Sequence, residues 1–180
     1  MTEIELVGLV GSLRRASHSA SVMRSLPGLL PEAARLSEQD IGHLPHYDED
    51  LKADGTPDDV LAVAEALRRA DGVVIVTPEY NRSFPGVLKN VLDWVSKEPE
   101  APFRGKPVAV ISQSPGALGG ILANYHLRQV LNVMGAEFLT GAEVAINTVA
   151  GKIGDGMVTD QPTRDVLSKE MARLVDRIRG

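Results

Sequence analysis

Residues 4–19 read Ile4-Glu5-Leu6-Val7-Gly8-Leu9-Val10-Gly11-Ser12-Leu13-Arg14-Arg15-Ala16-Ser17-His18-Ser19. The first seven form a short, mostly aliphatic run, the composition of a strand covered on both faces. The last nine form a loop of glycine, serines and arginines. Beyond it the apolar period turns helical, with Val22, Met23, Leu26, Leu29 and Leu30 on one face. A buried strand that feeds a polar loop and then a helix is the building unit of an open α/β sheet.

The same unit recurs along the chain. Val73-Val74-Ile75-Val76 and Val108-Ala109-Val110-Ile111 are two more aliphatic runs, and Arg35-Leu36-Ser37 and Glu137-Phe138-Leu139 are weaker strand candidates. Between and after them lie helical stripes: Val60, Val63, Ala64, Leu67; Val87, Leu88, Val91, Leu92, Val95; Leu118, Ile121, Leu122, Tyr125, Leu131, Met134; and Leu167, Met171, Leu174, Val175, Ile178. About five alternations predict one domain over residues 1–180: a flavodoxin-like three-layer sandwich on a five-stranded parallel sheet, order 2-1-3-4-5. Five strands are too few for an eight-stranded barrel. Two long stretches, Ile41 to Pro57 and Asn147 to Pro162, read as surface excursions.

Composition narrows the chemistry. The 180 residues contain no cysteine, which excludes disulfides, thiolate metal sites, iron–sulfur clusters and thiol redox catalysis. The formal charge of −5 argues against nucleic-acid binding through a basic surface. Met1-Thr2-Glu3-Ile4-Glu5 lacks the basic stretch of a secretory signal, and no apolar run approaches the ~20 residues that span a membrane. The expectation is a soluble cytoplasmic protein whose redox chemistry, if any, comes from a bound cofactor.

The acidic average hides one departure. No carboxylate occurs from Leu6 to Pro31, a stretch that contains the loop after the first strand. In an open α/β sheet, ligands bind beyond the carboxyl ends of strands, where that loop lies. A helix N-terminus offers unpaired N–H groups and partial positive charge, and Ser12, Ser17, Ser19, Arg14 and Arg15 add hydroxyls and guanidiniums. A serine cap with two solvated arginines is the bland alternative; position, arginines and missing acids together favour a phosphate. Neither GxxxxGK[ST] nor GxGxxG is present, so a single terminal phosphate suits the loop better than a triphosphate or a dinucleotide.

The second aliphatic run ends in Thr77-Pro78-Glu79-Tyr80-Asn81-Arg82-Ser83-Phe84-Pro85-Gly86 and continues through Lys89-Asn90 to Asp93-Trp94. The string PEYNxSxPGxLKNxxDW from Pro78 to Trp94 resembles the signature of NAD(P)H-dependent FMN reductases of flavodoxin-like fold. The opening GSLRxxS of Gly11 to Ser17 resembles the same family's phosphate loop, and Tyr125-His126-Leu127-Arg128-Gln129 is similar to its bacterial chromate and quinone reductase branch.

That resemblance implies non-covalent FMN, with NADPH or NADH as co-substrate. Hydride would pass from nicotinamide to flavin and on to a small-molecule acceptor: a quinone, or chromate, an azo compound or free flavin. It places the phosphate on Ser12, Arg14, Ser17 and Ser19, the last standing where relatives carry Asn. It places the ring against Pro78, Glu79, Tyr80 and Asn81, with Ser114 and Gly116 on its pyrimidine side. No side chain is required as acid or base, because the flavin carries the chemistry; Glu79 reads as a structural or hydrogen-bonding residue and Arg82 inherits no role. A flavodoxin-type carrier that does not oxidise pyridine nucleotides is the alternative.

Other features are expected to be structural. His43 and His46 flank Pro45 in a loop with no ligand set, so no metal is expected. Gly154-Asp155-Gly156 reads as a flexible turn. The helix from Leu118 to Met134 is apolar on more than one face, which predicts a homodimer or homotetramer, with His126 a packing or interface residue and Trp94 joining that interface.

Overall fold

The aliphatic runs become central strands because neither of their faces meets water. The structure is a computed structural model that describes residues 3–180; Met1 and Thr2, part of the N-terminal stretch read above, lie outside the described residues. Strands β1 (Ile4–Val10), β2 (Ala34–Gln39), β3 (Gly72–Pro78), β4 (Pro107–Gln113) and β5 (Glu137–Phe138) are parallel in the order β2-β1-β3-β4-β5. This is the expected flavodoxin-like order. Every residue of β3 is buried, whereas the edge strand β2 alternates between half-buried and exposed positions. That exposure is why its sequence carries a weak strand signal.

Side chains alternate across the sheet and build two cores. Ile4, Leu6, Val10, Val74, Val76, Ala109 and Ile111 face helices α1 (His18–Ser25) and α6 (Gln161–Arg179). Val7, Leu9, Val73, Ile75, Val108 and Val110 face α3 (Asp58–Arg69), α4 (Gly86–Ser96) and α5 (Ile121–Val133). A fully buried aliphatic or aromatic side chain stabilises by roughly 1.5–3 kcal/mol, so these two layers supply most of the driving force. Gly8 lies where α1 crosses β1: a Cβ there would sit 2.7 Å from the Met23 sulfur.

Several boundaries differ from expectation for local reasons. The first helix stops at Ser25 instead of reaching Leu30, and Pro27, lacking an N–H, starts a single 3-10 turn, Pro27–Leu29. The fourth of the five expected helices starts at Ile121, since Gly119 and Gly120 hold φ of +60° and +78° just before it. A Cβ on Gly119 would lie 2.6 Å from the Ala145 carbonyl carbon, so only glycine fits. The excursion after β2 contains a short helix, α2 (Glu49–Asp54). The stretch from 147 to 162 contains a 3-10 turn and a two-stranded hairpin, β7 (Ile153–Gly154) with β8 (Met157–Val158). Asp155 and Gly156 have φ of +50° and +74°, which makes the supposed flexible turn a two-residue hairpin turn. Arg24 of α1 donates to the Gly156 carbonyl and holds it.

The fifth strand is divided. After β5, residues 139–143 leave the sheet, and the chain rejoins β4 as β6 (Val144–Ile146). Asn124 of α5, fully buried, fills the gap: its Nδ2 donates to the carbonyl of Val110 at 3.2 Å and to that of Val144 at 3.5 Å. Arg128 Nε donates to Asn124 Oδ1 at 2.8 Å and so orients the amide. The apolar residues of α5 exceed one face because Tyr125 and Val133 are exposed while Leu127 and Leu131 are buried.

Trp94 is a correction. It does not reach an outer face; it is fully buried in the core, and its Nε1 donates to the Pro45 carbonyl at 2.8 Å. Asn90, one turn earlier, accepts from the Tyr47 amide at 2.7 Å and donates to the same Pro45 carbonyl at 2.9 Å. The Tyr47 ring meets Trp94 edge-on at 5.0 Å. Asn90 and Trp94 thus fasten the Ile41–Pro57 excursion over α4.

Candidate active site

Three loops leave the carboxyl ends of β1, β3 and β4 and converge on one cleft of about 250 Å³. Ser12, Arg14 and His18 line it from the first loop and α1; Pro78, Glu79 and Tyr80 from the second; Gln113, Ser114 and Pro115 from the third. The loops meet there because β1 and β4 flank β3 in the parallel sheet, which brings their carboxyl ends side by side.

The first loop is rich in unused donors. Among the described residues, the backbone amides of Ser12 to Ala16, His18 and Ser19 donate to no group of the chain. Ser17, almost fully buried, caps α1: its Oγ accepts from the Ala20 amide at 3.2 Å. Arg14 Nη2 donates to the Ala16 carbonyl at 3.0 Å, curling the guanidinium over its own loop. Ser19 has no exposure and does not line the cleft; its Oγ accepts from Gln113 Nε2 at 2.9 Å. Unpaired amides beside a guanidinium and a helix N-terminus are donors suited to an anion.

The second loop is held at both ends by α5. Glu79 Oε2 accepts from the amides of Leu122 at 3.1 Å and Ala123 at 3.2 Å. Gly120, the N-cap of α5, has no side chain to do this, so the carboxylate caps the helix from outside. Tyr80 and Ser83 exchange both backbone bonds, at 2.9 and 3.0 Å, around a turn in which Asn81 and Arg82 have φ of +51° and +69°. That is the two-residue hairpin turn that normally prefers Asn-Gly; an arginine there costs about 1 kcal/mol. Asn81 and Arg82 are exposed at its tip and do not line the cleft. His126 of α5 pairs its Nδ1 with Ser83 Oγ at 2.8 Å and meets the Phe84 ring edge-on at 5.2 Å.

The third loop is braced from the side. Ser114 donates its amide to Ile146 and accepts from Val149, and the Gly116 carbonyl accepts from Gly119 and Thr148. Gly116 itself lies just outside the cleft lining. The amides of Gly116, Ala117 and Leu118 have no partner among the described residues. Gly119 and Gly120 serve close approach to Ala145 and Gln113 rather than to a ligand.

Of the ten residues singled out from sequence, Ser12, Arg14, Pro78, Glu79, Tyr80 and Ser114 therefore share the cleft. Ser17 and Ser19 sit beneath it, and Asn81 and Gly116 at its rim. The cleft also takes in His18, Gln113 and Pro115, which carry no sequence signal of their own: they read as an ordinary first-turn residue, a polar strand end and a loop proline. The donor set fits FMN. It pairs an anion receptor at one end with free loop amides for a polar ring edge at the other, and the one lining carboxylate is turned to α5.

A flavodoxin-like sheet with a donor-rich loop after β1 and a cleft between three loops at the strands' carboxyl ends defines a nucleotide-binding class of fold. The model of the family described as NADPH-dependent FMN reductase matches residues 4–151, and the chain belongs to that family. Its relatives include quinone reductases and an NAD(P)H-dependent FMN reductase. It is 41% identical over 173 residues to a quinone reductase of Escherichia coli K12, covering 94% of this chain and 92% of that one. It is 37% identical over 182 residues to an NAD(P)H-dependent FMN reductase of Pseudomonas aeruginosa, covering 99% and 98%. The solved structure of FerB, an NAD(P)H:(acceptor) oxidoreductase of Paracoccus denitrificans, superposes with a TM-score of 0.88 at 36% identity, covering 98% and 97%.

Proposed function

We propose that this single-domain enzyme holds FMN in the cleft between the three loops and uses NADPH or NADH to reduce quinones. The observation that carries the reading is the run of free amides from Ser12 to Ser19 around the Arg14 guanidinium, at the carboxyl end of β1. The phosphate is held by Ser12, Arg14, the Ser17 hydroxyl and the first-turn amides. Ser19 contributes its amide, since its hydroxyl oxygen already accepts from Gln113. The ring lies along Pro78, Glu79, Tyr80 and Asn81, and its pyrimidine edge meets Ser114 and the amides that begin at Gly116.

Bound FMN supplies the centre that accepts hydride from nicotinamide and passes it to the acceptor. The chain's own part is positioning: Glu79 locks the second loop to α5, and the rigid third loop presents its amides without reorganisation. Quinones are the favoured acceptors because close relatives bear that name; chromate, azo compounds and free flavin belong to the same class of exposed-ring electron acceptors. Among the described residues no helix is long and apolar enough to cross a membrane, in keeping with a cytoplasmic site of action. The outward face near the cleft carries Leu118, Tyr125 and His126, with Val133 at the far end of α5, which supports assembly as a homodimer or homotetramer.

Nicotinamide and acceptor would share one face of the ring in turn. Steady-state rates with NADPH and a benzoquinone varied together should give parallel double-reciprocal lines. Intersecting lines would show both bound at once and overturn the single-cleft reading.

A further inference from the structure

We propose that His18 is a second, titratable cation of the flavin-phosphate end of the cleft, an inference that rests on the FMN reading above. His18 is the first residue of α1, half-buried, and lines the same cleft as Ser12, Arg14 and Gln113. The imidazoles engaged within the described residues are those of His43 and His126; the His18 ring makes no hydrogen bond or ion pair of its own. Its polar atoms are therefore free for whatever enters the cleft.

The charged and titratable groups that share its cleft are few, and on the other side of Ser12 and Arg14 the end of β2 brings Glu38 and Asp40. The first loop brings Arg14 and, further out, Arg15; the second brings Glu79 and Tyr80; the third brings none, offering Gln113, Ser114 and Pro115. The Glu79 carboxylate is committed to the α5 amides. A phosphate held beside Arg14 and the imidazole favours the imidazolium, because an opposite charge within contact distance stabilises the protonated ring. Binding of the phosphate and uptake of one proton are then linked, and the affinity for FMN depends on pH through His18.

An ordinary imidazole titrates near pH 6.5, and each pKa unit of coupling corresponds to about tenfold in affinity. The test is a fluorescence titration of the full chain, freed of flavin, with FMN and with riboflavin, for the wild type and His18→Gln. The phosphate's own ionisation near pH ~6 is common to both proteins and cancels in their ratio. The ratio of variant to wild-type Kd for FMN should rise from near unity at about pH 8.5 to about tenfold at about pH 5.5, while the riboflavin ratio stays flat. A complementary NMR titration of the wild-type His18 ring should show its midpoint rise when FMN is added. An FMN ratio that does not vary with pH, an equal change with riboflavin, or an unmoved His18 midpoint would overturn the assignment. Failure of both proteins to bind FMN at any pH would instead remove the FMN reading itself.

Discussion

Gln113 Nε2 donates to Ser19 Oγ across 2.9 Å and ties the carboxyl end of β4 to the first turn of α1. Both groups are buried, so this one bond couples the phosphate end of the cleft to its ring end. Ser19→Ala leaves the buried Gln113 amide without a partner, at a cost of about 1–3 kcal/mol. Thermal unfolding should register that loss, and FMN affinity should fall with it. An unchanged melting temperature would mean that the two loops are held together by other contacts.

Arg14 makes one hydrogen bond within the chain, to the Ala16 carbonyl, and its side chain is exposed. Arg14→Ala should therefore leave the fold intact. Loss of a charge-assisted contact of about 1.5–3 kcal/mol predicts FMN binding weaker by roughly 10- to 150-fold. Flavin fluorescence titration checks this directly; an unaltered Kd would remove Arg14 from the phosphate site.

Glu79 caps α5 by accepting from the Leu122 and Ala123 amides. Glu79→Ala should lower stability by about 0.5–2 kcal/mol, whereas Glu79→Gln, which keeps an acceptor oxygen, should lose less. Turnover of the Gln variant with flavin bound should stay within a few-fold of the wild type. A Gln variant that binds FMN and folds normally but no longer oxidises NADPH would make Glu79 a proton donor after all.

Much of the architecture could be read from sequence because the strands of the sheet interior are aliphatic along their whole length. Val73 to Val76 has no competing reading. The edges were less legible: Arg35-Leu36-Ser37 is half exposed, and the last strand is broken by residues 139–143. Nothing in the local pattern signals that break, because Asn124, the residue that mends it, lies earlier in the chain on another element. Trp94 was misread for a similar reason. A large apolar side chain off the helix stripe looks unpartnered until the excursion carrying Pro45 and Tyr47 folds over it. In the site, motif position predicted proximity well for Ser12, Arg14 and Pro78, but not direction, so Ser19 turned inward to Gln113 and Asn81 outward to the hairpin tip.

The excursion is fastened at a second point, where Lys52 Nζ lies 2.6 Å from Glu98 Oε1 and Thr56 Oγ1 2.9 Å from it. Burial pushes the Glu98 carboxyl up, but the hydrogen bonds from Lys52 and Thr56 outweigh it and hold the group below its ordinary value of 4.5. A depressed carboxyl stabilises the fold above its unfolded value, and that contribution is lost as pH falls through the lower folded one. Lys52→Met should thus melt earlier than the wild type at neutral pH, and the gap should close as pH drops below 4.5. A gap of constant size across that window would show that the pair contributes no charge-dependent stability.

The most direct measurement is anaerobic. The purified chain loaded with FMN is mixed with NADPH, and separately with NADH, while the yellow flavin absorbance is followed. Bleaching by at least one of them, with colour restored on adding a quinone, is the predicted result. A chain that takes up no FMN, or bound flavin that keeps its colour with both nucleotides, would contradict it.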